Sequence, residues 1–275
     1  MFALDFEYDN QYLSDYGFII CDFDFSDGAN EVSAGSIVSF NTTPLRNGEI
    51  YSLASTQYDE CITTTFDICK NPDIYDLEEM EISNDEYRDI MRWLNRREFL
   101  KFQTIDEEYN GLDKDPCFYN ASFNIEKIKI NEKLYGMRLT METNSPFGYG
   151  EQQTISWDIT DTTGNYTLVD VSDEIGYTYP SMKIICGSAG NLTISNDITD
   201  SMMVIKNVSA GEVITIDGST HIIETSSSSH KIYDDFNFEF FKIGNTINNR
   251  NNNITVSLPC KLEIAYSPII KDTPD

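Results

Sequence analysis

Two histidines, His221 and His230, and six cysteines, at positions 21, 61, 69, 117, 186 and 260, are the side chains best suited here to metal or nucleophilic chemistry. Zinc needs closely spaced Cys and His pairs, and this chain has no C-x-x-C, so no metal site is expected. A Ser/His/Asp triad has to use one of the two histidines. His221 alternates with Ile222 and Ile223 in a strand-like run, and His230 follows four serines; neither lies in a G-x-S-x-G turn. Phosphate-cradling glycine motifs are absent as well. The stretch "CDFDFSDG" from Cys21 puts Ser26 and Asp27 where a calcium loop needs an acid or amide and a glycine. With 46 acidic residues, neighbouring carboxylates are no sign of a glycosidase pair. The expectation is a protein with no catalytic residue, cofactor or metal, whose chemistry is that of surfaces.

Charge narrows the partners. The formal net charge is −27 over 275 residues. Gripping nucleic-acid phosphates or an anionic bilayer needs clustered Lys and Arg, so neither specific nucleic-acid binding nor membrane insertion is expected. No apolar run of 18 residues exists, and the opening "MFALDFEYDN" has no basic start followed by an apolar stretch, which reads as no secretory signal. The cysteines then read as reduced thiols of a protein made in a cytoplasm. Cys61 and Cys69, placed on one strand, stand about 26 Å apart, far outside disulfide range.

The positioning elements are mostly strands. "CDFDFSDG" and "ECITTTFDIC" alternate with period two, the second setting Ile62, Phe66 and Ile68 on one face. "EFLKFQT", "CFYNASFNIEKIKI" and "LYGMRLTMET" read as further strands. One helix interrupts them, in "ISNDEYRDIMRWLNRREFLKF" from Ile82 to Phe102. Ser83 and Glu86 have the spacing of a capping box. Tyr87, Ile90, Met91 and Leu94 make one apolar face, and Arg88, Arg92 and Arg96 a basic stripe opposite. Four of the chain's seven arginines lie on this segment. Two readings stand: a solvated face with weak ion pairs, or a stripe that docks on an acidic neighbour, such as another copy. Trp93 sits on the flank, at a core edge or an interface.

The Pro- and Gly-bearing stretch from Asn144 to Gln152 marks the expected boundary between residues 1–146 and 147–275. Beyond it, ten short strand-like runs, from "TISWDIT" through "HIIET" and "FNFEFFKI" to "KLEIAYSP", predict an antiparallel sandwich or jelly roll.

Three segments together resemble the distal tail proteins of siphophages. They are "PLRNGEIYSLASTQYDECITTTFDI" from Pro44, the helical segment from Ile82, and "MRLTMETNSPFGYGE" across the boundary. The resemblance covers most of the first 150 residues, and the later part fits in size and strand content. It implies a mainly β fold. A sandwich-like N-terminal domain would carry one helix and a long β-hairpin, and a galectin-like β-sandwich would follow.

It also implies a structural virion protein. Six N-terminal domains would close a homohexameric ring at the distal end of the tail tube, with DNA passing through its lumen. The ring would meet the tail tube protein on one side and a tail-spike or tail-associated lysin on the other. By match, Arg46, Asn47, Gly48 and Tyr51 belong to the ring-forming region; Arg88, Arg92, Trp93 and Arg96 on the helix are further candidates for the ring interface. Loops at Gly187–Asn191 and Asn248–Asn253 would meet receptor-binding or baseplate proteins. The alternative is a carbohydrate-binding module or lectin-like adhesin, for which Trp157, Tyr177 and Tyr179 are the available aromatics.

Overall fold

The computed structural model describes residues 4–23, 38–45, 51–58, 60–106, 113–114 and 117–272. Contacts divide the chain into two compact units, Met1–Gly150 with Ile270–Asp275, and Glu151–Ile269.

The first unit begins with β1 (Asp5–Tyr8), β2 (Gln11–Tyr12), β3 (Phe18–Cys21), β4 (Val38–Pro44) and β5 (Tyr51–Tyr58). β6 (Thr63–Lys70) leads into helix α1 (Asn84–Leu94). Then come β7 (Leu100–Asp106), β8 (Asp113–Lys114), β9 (Cys117–Ile130), β10 (Lys133–Thr143) and β11 (Gly148–Gly150). The main sheet runs β2-β1-β7-β9-β10-β6-β3, with β4 and β5 forming a two-stranded sheet of their own. In β9, Cys117, Tyr119, Ala121 and Phe123 point into the core while alternate residues stay partly exposed, as period two requires. β9 and β10 turn through Asn131 and Glu132, both left-handed (φ 50° and 70°), which matches the twist of a two-residue hairpin.

The helix starts as the sequence indicates. Ser83 Oγ accepts from the Glu86 N–H, and Glu86 Oε2 accepts from the Ser83 N–H at 2.7 Å. Its buried face is rotated from the expected one, being Ile90, Trp93 and Leu94. Tyr87 is only partly buried against the core, with Lys127 Nζ 3.8 Å over its ring centroid.

The second unit contains β12 (Gln153–Ile159), β13 (Tyr166–Val169), β14 (Gly176–Thr178), β15 (Ser181–Cys186), β16 (Gly190–Asn196) and β17 (Ser201–Val208). It continues with β18 (Val213–Asp217), β19 (Ile222–Thr225), the single turn α2 (Ile232–Asp235), β20 (Ile243–Asn245), β21 (Asn251–Val256) and β22 (Cys260–Tyr266). β23 (Ile269–Ile270) is the last described strand and pairs with β11. Five strands, β12-β22-β15-β18-β19, and four, β13-β21-β16-β17, form two sheets around one core. Ile184, Ile214 and Leu262 from one sheet share that core with Ile194, Ile205 and Ile254 from the other. Each such side chain contributes about 1.5–3 kcal/mol by leaving water.

The run "FNFEFFKI" does not form the expected strand. Phe236 makes one isolated bridge to Ile205, Phe238 is left-handed (φ 58°), and regular pairing begins only at Ile243. The Asn237 side chain takes over the ladder: it accepts from Val204 N and donates to Met202 O.

Candidate functional site

Arg88 and Arg92 lie on the exposed side of α1, and Arg96 just past its C-cap Asn95. Arg92 pairs with Asp89 one turn earlier at 2.8 Å, both largely exposed, and Arg96 Nη2 lies 3.7 Å from Asp9. Arg96 Nε also donates to the Trp93 carbonyl. Arg88 is exposed. Solvated pairs of this kind are worth little, so Arg88 and Arg92 leave charge available at the surface.

Trp93 is not at the surface. It is 3 % exposed, stacked against Tyr16 (4.6 Å, 15°) and Phe6 (5.6 Å, 12°), and its Nε1–H donates to the Tyr8 carbonyl at 3.0 Å. An indole with its one donor satisfied inside a ring of aromatics is a core residue of the chain. Its expected interface role is therefore corrected.

The hairpin β4–β5 carries a feature that sequence reading missed. Val38 pairs with Tyr58, Phe40 with Thr56 and, after a bulge, Thr42 with Leu53, so these residues share one face. Val38, Phe40 and Leu53 on that face are each exposed, Phe40 at 64 % and Leu53 at 56 %. Ser39, Asn41, Gln57 and Ser55 occupy the other. The result is an amphipathic ribbon whose apolar side faces solvent. The alternation of "VSFNTT" is the signal that could have found the strand, and only the pairing shows the face uncovered. Tyr51 opens β5, whereas Arg46, Asn47 and Gly48 lie outside the described residues.

The four expected attachment positions divide in two. Gly187 and Asn248 lie in exposed connections. Gly187 N–H donates to the Pro259 carbonyl at 2.7 Å, an approach that leaves no room for a side chain there. Asn191 and Asn253, the last residues of the expected loops and the first of the strand-like runs "NLTIS" and "NITVSL", are strand residues. Asn191 sits at a register shift in β16, where its Oδ1 accepts from the Asn207 N–H, left without a ladder partner by the left-handed turn at Asn207. Asn253 is clamped in β21: its backbone N–H and Nδ2 both donate to the Asp197 carboxylate, and its Oδ1 accepts from Thr167. These two amides satisfy the fold.

Of the aromatics, Trp157 is only partly buried and packs against the sandwich core. Tyr177 is exposed and begins a run of edge-on rings through Tyr179, His221 and Phe240 to Phe236. Lys242 Nζ lies 4.9 Å over the Tyr177 ring. His230 is buried instead. Its Nδ1 meets Glu212, and its Nε2 lies 3.4 Å from Asp235. Burial pushes the Glu212 carboxyl up, but bonds from His230, Thr225 and the Ser209 N–H outweigh it and hold the group below the usual range. No cluster of three or more metal-ligating side chains occurs among the described residues.

Residues 1–145 match the family described as phage tail protein N-terminal domain, and residues 147–266 the phage tail C-terminal domain. The chain belongs to this phage tail protein family. Among solved structures, the crystal structure of the phage SPP1 Dit (gp 19.1) protein superposes with a TM-score of 0.65 at 10 % identity, covering 96 % of this chain and 98 % of that one. That protein is presented as a paradigm of the hub adsorption apparatus in phages infecting Gram-positive bacteria. A comparison with curated proteins gave no match. The resemblance read from the sequence thus holds for a phage tail protein and for the fold it shares with the SPP1 Dit protein.

Proposed function

We propose that this chain is a structural hub protein of a long non-contractile phage tail, in which first units from six copies close a ring at the distal end of the tail tube. The observation that carries this reading is the β4–β5 ribbon. A lone two-stranded ribbon is marginal in water, and this one exposes Val38, Phe40 and Leu53 together. A head-to-tail contact repeated around a closing rotation would cover the same ribbon on every copy. Family membership and the shared fold support the tail context.

In this reading Arg46, Asn47, Gly48 and Tyr51 lie with the ribbon in the ring contact, and the Arg88 and Arg92 charges offset repulsion between acidic copies. The ring meets the tail tube protein on one side and a tail-spike or tail-associated lysin on the other. The second unit presents its connections at Gly187 and Asn248 to receptor-binding or other baseplate proteins. A net charge of −27 suits a lumen through which DNA must slide without sticking. Light scattering of the purified chain and class averages of assembled tails test the proposal. Sixfold symmetry is expected, and a twofold dimer at the tail tip would overturn it.

A further inference from the structure

Cys21 and Cys69 are remote in sequence and adjacent in the sheet. β3 and β6 pair so that Ile19 lies opposite Cys69 and Cys21 opposite Asp67. Residues 19 and 21 share a face, so the two cysteines are diagonal neighbours on the same side of the sheet. That side is the half-exposed one, since Phe18, Ile20 and Ile68 fill the core from the other. The two thiols also perturb each other, Cys21 being pushed up and Cys69 down by its neighbour.

We infer that Cys21 and Cys69 form an oxidisable dithiol that reacts with a low-molecular-weight disulfide to staple β3 to β6. The Cys69 thiolate attacks one sulfur of the small disulfide and releases one small thiolate. Cys21 then gives up its proton and attacks Cys69 Sγ, expelling the second small thiol. The protein dithiol is oxidised by two electrons and the small disulfide is reduced to two thiols, so atoms and electrons balance.

Three observations place the reaction at this pair. First, the neighbouring Cys21 holds the Cys69 thiol below the usual range, while Cys21 itself is pushed up. Second, β3 is the end strand of its sheet, so it can shift to close the gap between a diagonal separation of about 7–8 Å and the roughly 7 Å limit of a disulfide. Third, the other close pair is shielded. Cys186 and Cys260 face each other across β15 and β22, yet both are buried, and burial pushes their thiols up to about 11 and about 12. Cys61 is exposed. The staple would close the span that carries the β4–β5 ribbon, fixing the base of the element with the exposed apolar face. Closing a long loop removes conformational freedom from the unfolded chain, so the oxidised form should be the more stable.

The test equilibrates the reduced full-length chain with glutathione disulfide and glutathione, traps free thiols by alkylation, and maps the cysteine peptides by mass spectrometry. A Cys21–Cys69 cross-linked peptide, a single glutathione adduct on Cys61, and a rise of several degrees in melting temperature are expected. C21S should leave Cys69 as a stable glutathione adduct, and C69S should abolish the cross-link without loading Cys21; neither variant should gain stability on oxidation. The inference is overturned if Cys61 acquires glutathione while Cys21 and Cys69 stay free, or if the cross-link joins Cys186 and Cys260. It is also overturned if both single variants are loaded equally. Each readout is independent of ring formation, so failure here leaves the hub reading untouched.

Discussion

The ammonium of Lys70 lies 2.8 Å from a carboxylate oxygen of Glu86, joining the end of β6 to the first turn of α1. Lys70 is nearly buried and also donates to the Glu79 and Glu81 carbonyls, while the other Glu86 oxygen accepts from the Ser83 N–H. Helix cap and strand end are thus one network. It holds α1 where Trp93 can enter the aromatic core.

Replacing Glu86 separates the two roles. Gln still serves a capping box, so E86Q loses mainly the charge opposite Lys70. E86A loses the cap as well and should cost about 1 kcal/mol more. Denaturant titration of both variants measures the difference; equal losses would show that the cap contributes nothing.

Acid should act on the same residue. Burial pushes the Glu86 carboxyl up, but bonds from Lys70 and Ser83 outweigh it and hold it below the ordinary range. Its stabilisation is therefore complete above the ordinary carboxylate range and is lost as pH falls through the depressed folded value. Wild-type stability should drop on acidification more steeply than that of E86Q, read from melting curves at stepped pH.

Glu212 supplies the corresponding prediction for the sandwich. It is buried against His230 and Thr225, so E212A leaves an imidazole and a backbone N–H without their acceptor. A loss of about 3–5 kcal/mol is expected, as for other broken buried pairs. Since this carboxyl too is held below the usual range, its share in the wild type also fades as pH falls. An E212A variant as stable as wild type would show that the contact carries no weight.

Trp93 and the ribbon give opposite expectations. W93A should cost about 3–5 kcal/mol at any protein concentration, because it empties core volume and strands the Tyr8 carbonyl. F40S combined with L53S should change stability by less than about 0.5 kcal/mol per site, since both side chains already face water. The double variant should nevertheless fail to enter rings. Sizing and unfolding of the two variants side by side separates a core residue from an assembly residue.

Much of the fold was readable because it rests on neighbours in sequence. Ser83 and Glu86 are three residues apart, so the helix start is a local event, and the buried residues of β9 announce themselves by period two. "FNFEFFKI" misled for the same reason: its pattern is that of a strand, but Asn237 and the left-handed Phe238 divert the backbone. Asn191 and Asn253 stand where loop gives way to strand in the sequence, but that each side chain satisfies a group fixed by distant pairing is not legible there.

The sequence by itself determined the strand-rich class, the one long helix with its cap, the acidic surface and the change of texture near Pro146. These follow from local periodicity, capping chemistry and composition. Tertiary structure alone decided that Trp93 turns inward, that Cys21 and Cys69 become diagonal neighbours on one face, that Glu212 holds His230, and that one face of β4–β5 stays uncovered. Each of those depends on strand register between segments far apart in the chain, and a shift of one residue would send every side chain to the opposite face.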